Sequence, residues 1–472
     1  MTRSAPEWKA LQGAIDGRVV LPDSSDYGVA RRVEMARFQN VLPDAIVFCG
    51  NPADVSATIA FARRHGLPVA IRSGGHSVAG RSSTEGVVID VTPMDAVSVV
   101  ESVATVGAGV RLGRLYDALQ VHGLTLPAGS SHSVGIAGLT LGGGLGILGR
   151  KHGLTCDHLL RAQVVLADGH VVECDRNHNE DLFWAMRGAG GGNFGVVTSF
   201  SFGTIPVPTT TIFHLVWPLT CAERLIQAWQ EWAPSGPDEL DATLRLSVTD
   251  GGERPPVADI FGAMIGSDGD AAELLDELVV RAGVDPASAS RRQVSYREAR
   301  RYLDGVGPVD DWRDEAPAPP PSAAGQLFTK SEFFRRSLPR EVIAALAEVL
   351  PRGLNGGQSR EVTFTPWGGA YNRVAPGATA FVHREELFIV QHLVTLDPDA
   401  TTTGRKSAQD WLRQSWELVH PWGTGGVYPN FPDPDLQDWA HAYYGKNHSR
   451  LVHIKAKYDP DQFFRFHQSL SG

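Results

Sequence analysis

The sequence predicts an α+β protein built from two folding units. Three observations carry this: a length of 472 residues, too long for one ordinary core; short apolar strands among many glycines before about Pro208; and longer alternating strands with amphipathic helices after it.

In the first part, Asn51 reads as a helix cap with Pro52 in the first helical position. Val55, Ile59 and Ala62 then recur at helical spacing until Gly66. Leu67 to Ile71 and Gly86 to Val91 read as short buried strands, followed by Ala104 to Val106 and Gln163 to Ala167. Leu112 to Val121 and Asp181 to Ala185 read as helices between them. In the second part, Thr243 to Val248 and Leu387 to Val394 are strands, and Cys221 to Trp232, Ala271 to Ala282 and Arg340 to Leu350 are helices. An antiparallel sheet backed by helices follows. Glu315 to Gly325 is a Pro/Ala-rich surface loop. The last forty-odd residues are aromatic-rich and are expected to pack back on the first part.

Composition removes several functional classes. A formal charge of -10 opposes nucleic-acid binding, and the basic stretch Arg291 to Arg301 reads as a solvated helix. No run approaches the ~18 apolar residues of a membrane helix, and Met1 to Gly17 lacks a signal-peptide pattern. Cys49, Cys156, Cys174 and Cys221 are scattered, as expected of reduced thiols in a cytoplasmic protein. No HExxH or dense His/Cys/Asp cluster is present, so no metal is expected.

Three glycine clusters stand out: Arg72-Ser73-Gly74-Gly75-His76, Gly135 to Gly149, and Gly188 to Gly195. Glycine lets a backbone approach a ligand closely and turn successive N–H groups toward phosphate oxygens. Three such loops beside predicted strands suggest a pyrophosphate surrounded by backbone. Gly144 to Gly149 and Gly190 to Gly195 also match GxGxxG by letters. A dinucleotide fingerprint follows a strand and has an acid near the end of the next one; Gly142 to Gly149 follows another loop, and Asp168 sits in a turn.

With VAIRSGGH at Val69 to His76, Gly107 to Gly109, Val134 to Gly146, LFWAMRGAGGGNFG at Leu182 to Gly195, Tyr443-Tyr444-Gly445 and Tyr458-Asp459-Pro460, the chain resembles the berberine-bridge-enzyme-like oxidases of the vanillyl-alcohol-oxidase superfamily. The matches run from about residue 27 to 468 and thin out between 208 and 360. The resemblance implies an FAD-binding domain over 1–207, a substrate domain over 208–425 whose antiparallel sheet roofs the flavin, and a returning segment over 426–472. It also implies FAD carried on the flavin 8α-methyl carbon by His76. A neutral imidazole is nucleophilic near neutral pH, although a lone histidine would as readily cap its loop or bond a phosphate. The cofactor-binding set it implies comprises Arg72, Ser73, Gly74, Gly75, His76 and Ser77, then Ser131, Val134, Gly135, Gly138, Gly142, Gly143, Gly144 and Gly146. Gly195, Val196 and Val197, with Tyr428 and Asn430, complete it.

Many relatives attach the flavin a second time through a cysteine, and Ser131 occupies that place here. A hydroxyl ionises far less readily than a thiol, so one covalent bond, through His76 only, is expected. His132 could contact the flavin or line its loop.

Hydride loss from a CH–OH or CH–N carbon is easier if a base removes the heteroatom proton. The resemblance places a catalytic tyrosine at Tyr428, with Tyr371 as the second candidate. On Leu387 to Val394, period-two alternation sets Gln391 and His392 on opposite faces, and one of them should meet substrate. The resulting expectation is an oxidase for a small natural product or sugar, with O2 as acceptor giving H2O2, working as a monomer or homodimer. A flavin-dependent dehydrogenase, an oxygenase or cyclase of secondary metabolism, and a non-catalytic flavin-binding protein are the alternatives.

Overall fold

The computed structural model describes residues 6–251, 255–305, 325–355 and 357–471. Its architecture is α+β. Near the N-terminus lie β1 (Arg18–Val20) and β2 (Ala45–Phe48), then α1 (Pro52–His65), β3 (Val69–Arg72) and β4 (Val87–Asp90). They form a four-stranded sheet in the order β1-β2-β4-β3, with β2, β4 and β3 parallel. α1 is capped as its sequence implies: Asn51 accepts the Asp54 N–H, and Gly66 ends the helix at φ 62°.

A second, antiparallel sheet follows, from β5 (Val97–Val100), β6 (Val103–Gly107), β7 (Leu159–Val165), β8 (Val171–Asp175) and β9 (Val196–Gly203), in the order β5-β6-β9-β7-β8. Helices α2 (Leu112–Gln120), α3 (Ile136–Leu141) and α4 (Glu180–Met186) connect its strands. Both sheets share one apolar core with the C-terminal residues Tyr443, Tyr444, Leu451, Ile454 and Phe464.

The third sheet holds β10 (Thr209–Pro218), β11 (Leu240–Thr249), β12 (Val257–Ile265), β13 (Ser288–Ser295), β14 (Gln326–Phe334), β15 (Ser359–Pro366) and β16 (Phe388–Leu396). They pair antiparallel in the order β13-β10-β12-β11-β15-β16-β14. Helices α5 (Ala222–Trp232), α6 (Asp268–Ala282), α7 (Tyr296–Asp304), α8 (Arg340–Val349) and α9 (Thr402–Val419) accompany it. One face is apolar and packs on helices: Leu240, Ala242, Leu244, Leu246 and Val248 of β11 share a core with Trp229, Leu346 and Trp411. The intervening Asp241, Thr243, Arg245 and Ser247 point the other way.

The basic stretch expected as one helix divides. Ser290 to Ser295 belongs to the edge strand β13, and α7 begins at Tyr296 behind a Ser295–Glu298 capping box. The charged pair Arg291 and Arg292 on an edge strand fits the need to discourage further pairing. The Pro/Ala-rich loop at Glu315 to Gly325 lies outside the described residues except for Gly325. No described helix is long and apolar enough to cross a membrane.

Candidate active site

The three glycine clusters converge on a single cavity of about 830 Å³. The first cluster leaves β3 with Gly75 at φ 75°. Ser73 Oγ donates to the Ala108 carbonyl at 2.7 Å. A Cβ at Gly74 would stand 2.2 Å from the Gly135 nitrogen, so the first and second loops touch backbone to backbone. Ser73, Gly74, Gly75, His76 and Ser77 all line the cavity. Arg72 does not; its guanidinium turns to Asp90, Nε to Oδ2 2.6 Å, and to the Ala30 carbonyl. It braces the loop from behind.

From the second cluster, Ser131, Val134, Gly135, Gly138, Gly142 and Gly146 reach the cavity. Gly143 and Gly144 instead turn their backs to Phe381 and Thr155. Gly195 of the third cluster and Val197 just after it line the wall, while Val196 is fully buried in the first core.

His76 sits in the glycine-lined wall. Its Nε2 lies 3.0 Å from Ser133 Oγ and 3.8 Å from Glu34 Oε1. Burial, aided by Arg111, lowers its pKa to about 4, so the imidazole is neutral at physiological pH. His132 does not line the cavity. Its Nδ1 reaches Asp304 Oδ2 at 2.5 Å, joining the second loop to the end of α7.

Tyr428 and Asn430 come from the returning segment and line the same cavity. The Tyr428 oxygen accepts from Gly144 N–H and Leu145 N–H, each at 3.0 Å, and from Asn430 Nδ2 at 3.1 Å. Asn430 Nδ2 also donates to the Leu139 carbonyl at 2.9 Å, which fixes the amide's orientation. Three donors on one phenol oxygen are a set suited to phenolate. Burial opposes them and pushes the hydroxyl up to about 12.

Tyr371 is placed differently. It is fully buried, stacks on Trp367 at 4.3 Å, and donates its proton to the Gly146 carbonyl at 3.1 Å. It supports the glycine loop from outside the cavity lining. His392 faces the helix layer, with Nδ1 2.8 Å from Ser415 Oγ on α9. Gln391 points to the opposite face but donates to Thr329 Oγ1 at 3.0 Å and stays off the cavity lining.

The sheet's contribution consists of Asp241, Thr243, Phe261, Gly262 and Thr365, none of which stood out in the sequence. The available signal was the polar alternation Asp241, Thr243, Arg245, Ser247 through an otherwise apolar strand. Arg81 and Arg465 supply positive charge elsewhere on the wall.

The residues present fit FAD. At Gly138 and Gly191 an added Cβ would meet nothing within 4 Å, so the missing methyl groups are cavity space. Glycine backbone, serine hydroxyls and two arginines suit a pyrophosphate, and a neutral imidazole stands in the same wall. Among the described residues no group of three or more His, Cys, Asp or Glu could hold a metal ion.

Comparison with known proteins agrees with this geometry. Residues 43–175 match the FAD binding domain model, and residues 427–471 match the berberine and berberine-like model. An uncharacterised FAD-linked oxidoreductase of Bacillus subtilis is 33% identical, covering 97% of each chain. The chain belongs to the berberine-bridge-enzyme-like family of FAD-linked oxidoreductases. A chitooligosaccharide oxidase of Gibberella zeae is 31% identical over 91% of this chain and 87% of that one. The structure of Physcomitrella patens BBE-like 1 superposes with a TM-score of 0.88 at 29% identity, covering 98% of both chains. Membership makes this protein an FAD-linked oxidoreductase.

Proposed function

We propose that the protein is an oxidase that removes hydride from a CH–OH or CH–N carbon of a small molecule, with FAD joined covalently to His76 alone and O2 as the electron acceptor. The observation that carries this reading is that His76 and Tyr428 line one cavity, the first a neutral imidazole and the second a phenol under three hydrogen-bond donors. Relatives named as oxidases support the choice of acceptor.

Bound FAD supplies the electron chemistry, accepting the hydride and passing electrons on. The chain supplies the rest. Ser133 engages His76 Nε2, which leaves Nδ1 free to form the tether. Ser131, a poor nucleophile without an adjacent base, leaves the attachment single. Tyr428 takes the proton from the substrate heteroatom, and Gly144, Leu145 and Asn430 hold the negative charge that develops on its oxygen. The sheet above positions the substrate.

The test is the visible spectrum and denatured mass of the purified protein. A yellow acid precipitate, heavier than the chain by one FAD, is the expected result, and His76→Ala should release the flavin to the supernatant. Peroxide formed in air with a reducing substrate identifies the acceptor. A colourless protein that takes up no added FAD would overturn the reading.

A further inference from the structure

Behind the glycine cluster that meets Tyr428 lies a buried ion pair. Arg384 forks onto Asp157, Nη2 to Oδ1 at 2.7 Å and Nη1 to Oδ2 at 2.8 Å. The Arg384 side chain is wholly buried. It also donates to the Tyr371 carbonyl and to Thr379 Oγ1, at 3.3 and 3.2 Å. Neither member of the pair lines the cavity. Burying such a pair gains little stability over well-packed apolar residues. What it does fix is a geometry, and here that geometry ends at the phenol.

Asp157 Oδ2 also accepts the Leu154 N–H at 2.9 Å, which closes the turn Thr155–His158. That turn offers two backbone donors to the second glycine cluster. Thr155 N–H reaches the Gly144 carbonyl at 3.0 Å, and Cys156 N–H reaches the Gly143 carbonyl at 2.9 Å. The Gly143 carbonyl and the Gly144 N–H belong to one rigid peptide plane, as do the Gly144 carbonyl and the Leu145 N–H. The turn therefore holds each plane by its oxygen, and each plane's N–H meets the Tyr428 oxygen at 3.0 Å. A carbonyl that accepts also polarises its own amide, which strengthens that N–H as a donor. Gly143 and Gly144 sit at φ 124° and 95°, where glycine goes freely but is not held by its own preferences. From the other side, the Phe381 ring lies 5.0 Å from the Arg384 guanidinium and abuts Gly143.

We propose that Asp157 and Arg384 are positioning residues for the proton transfer, clamping the Thr155–His158 turn so that the Gly144 and Leu145 N–H groups stay aimed at the Tyr428 oxygen. Asp157 precedes β7 and Arg384 precedes β16, so the pair sets the phenol's donors and the substrate sheet in one frame. This rests on the reading of Tyr428 as the proton acceptor.

The experiment uses flavin-loaded enzyme in which tyrosine is replaced biosynthetically by difluorotyrosine, a more acidic phenol that titrates where the fold survives. The fluorine resonance missing from Tyr428→Phe identifies Tyr428, and its shift against pH gives the titration midpoint. Asp157→Asn combined with Arg384→Met removes both charges yet keeps an acceptor for the Leu154 N–H. This double variant should load flavin and melt near the wild-type temperature. Its Tyr428 midpoint should rise by about one pH unit, the effect of donors losing their alignment. If the double variant does not fold, Arg384→Lys keeps the charge and loses the fork, and it should move the midpoint in the same direction by less. An unchanged midpoint in a folded, flavin-loaded variant would overturn the proposal, even with a lowered melting temperature. The titration uses no substrate. A Tyr428→Phe enzyme that reduces its flavin at the wild-type rate would count against the earlier reading, whereas the midpoint bears on the clamp alone.

Discussion

The phenol oxygen of Tyr428 lies 3.0 Å from the Gly144 nitrogen, 284 residues earlier in the chain. The returning segment therefore delivers the Tyr428 phenol onto the backbone of the second glycine cluster. Burial raises the pKa of that phenol, and the donors there pull it back down in part.

Tyr428→Phe should retain FAD and lower kcat by about a hundredfold to ten-thousandfold. In the wild type, a hydroxyl pushed up to about 12 is protonated at neutral pH. The anaerobic rate of flavin reduction should therefore climb as pH rises and the phenolate fraction grows. The variant should lose that climb. Stopped-flow reduction across pH checks both, and an unchanged slope in the variant would remove Tyr428 from the proton's path.

Asn430→Leu withdraws one of three donors from the phenol oxygen. The pH dependence of flavin reduction should shift toward higher pH, with a rate loss of about tenfold at neutral pH. Flavin content, measured by absorbance, should stay near that of the wild type.

The imidazole of His76, lowered to about 4, is already neutral through the physiological range. Flavin attachment to the apoprotein should accordingly run at a constant rate there and slow only as the pH approaches that value. Ser133→Ala removes the partner of Nε2. It should slow attachment without abolishing it, as read by the mass of the denatured protein over time.

Lys455 Nζ donates to the Asn193 carbonyl, Asp459 Oδ2 and the Phe464 carbonyl at 2.6, 2.6 and 2.7 Å. It ties the third glycine cluster to the C-terminal segment. Lys455→Ala leaves the Asp459 carboxylate buried without its counter-ion and should cost about 3–5 kcal/mol in chemical denaturation.

Much of this was legible in the sequence, and the gaps have physical causes. The glycine loops could be read because close backbone approach excludes a Cβ, as between Gly74 and Gly135. Alternation separated Gln391 from His392, but which face meets the helices depends on Ser415, far along the chain. Arg72 sits next to a ligand loop and invites a ligand role, yet it ends the strand β3 and points to Asp90 beside it. Tyr371 has the same chemistry as Tyr428; a carbonyl rather than three donors meets its hydroxyl. Asp241 escaped notice because polar alternation on a strand ordinarily signals water, whereas here that face is covered by the other half of the molecule. The arginines of Ser290 to Ser295 read as a helix because an edge strand and a solvated helix present similar charge.

The division of labour within β11 has an evolutionary corollary. Leu240, Ala242, Leu244 and Leu246 hold the sheet to its helices, while Asp241 and Thr243 interleave with them and face the cavity. A mutation at Asp241 or Thr243 can reshape the cavity wall without disturbing the scaffold, and one at an even-numbered position does the reverse. Descendants of such a strand can diverge in diet while inheriting the same skeleton.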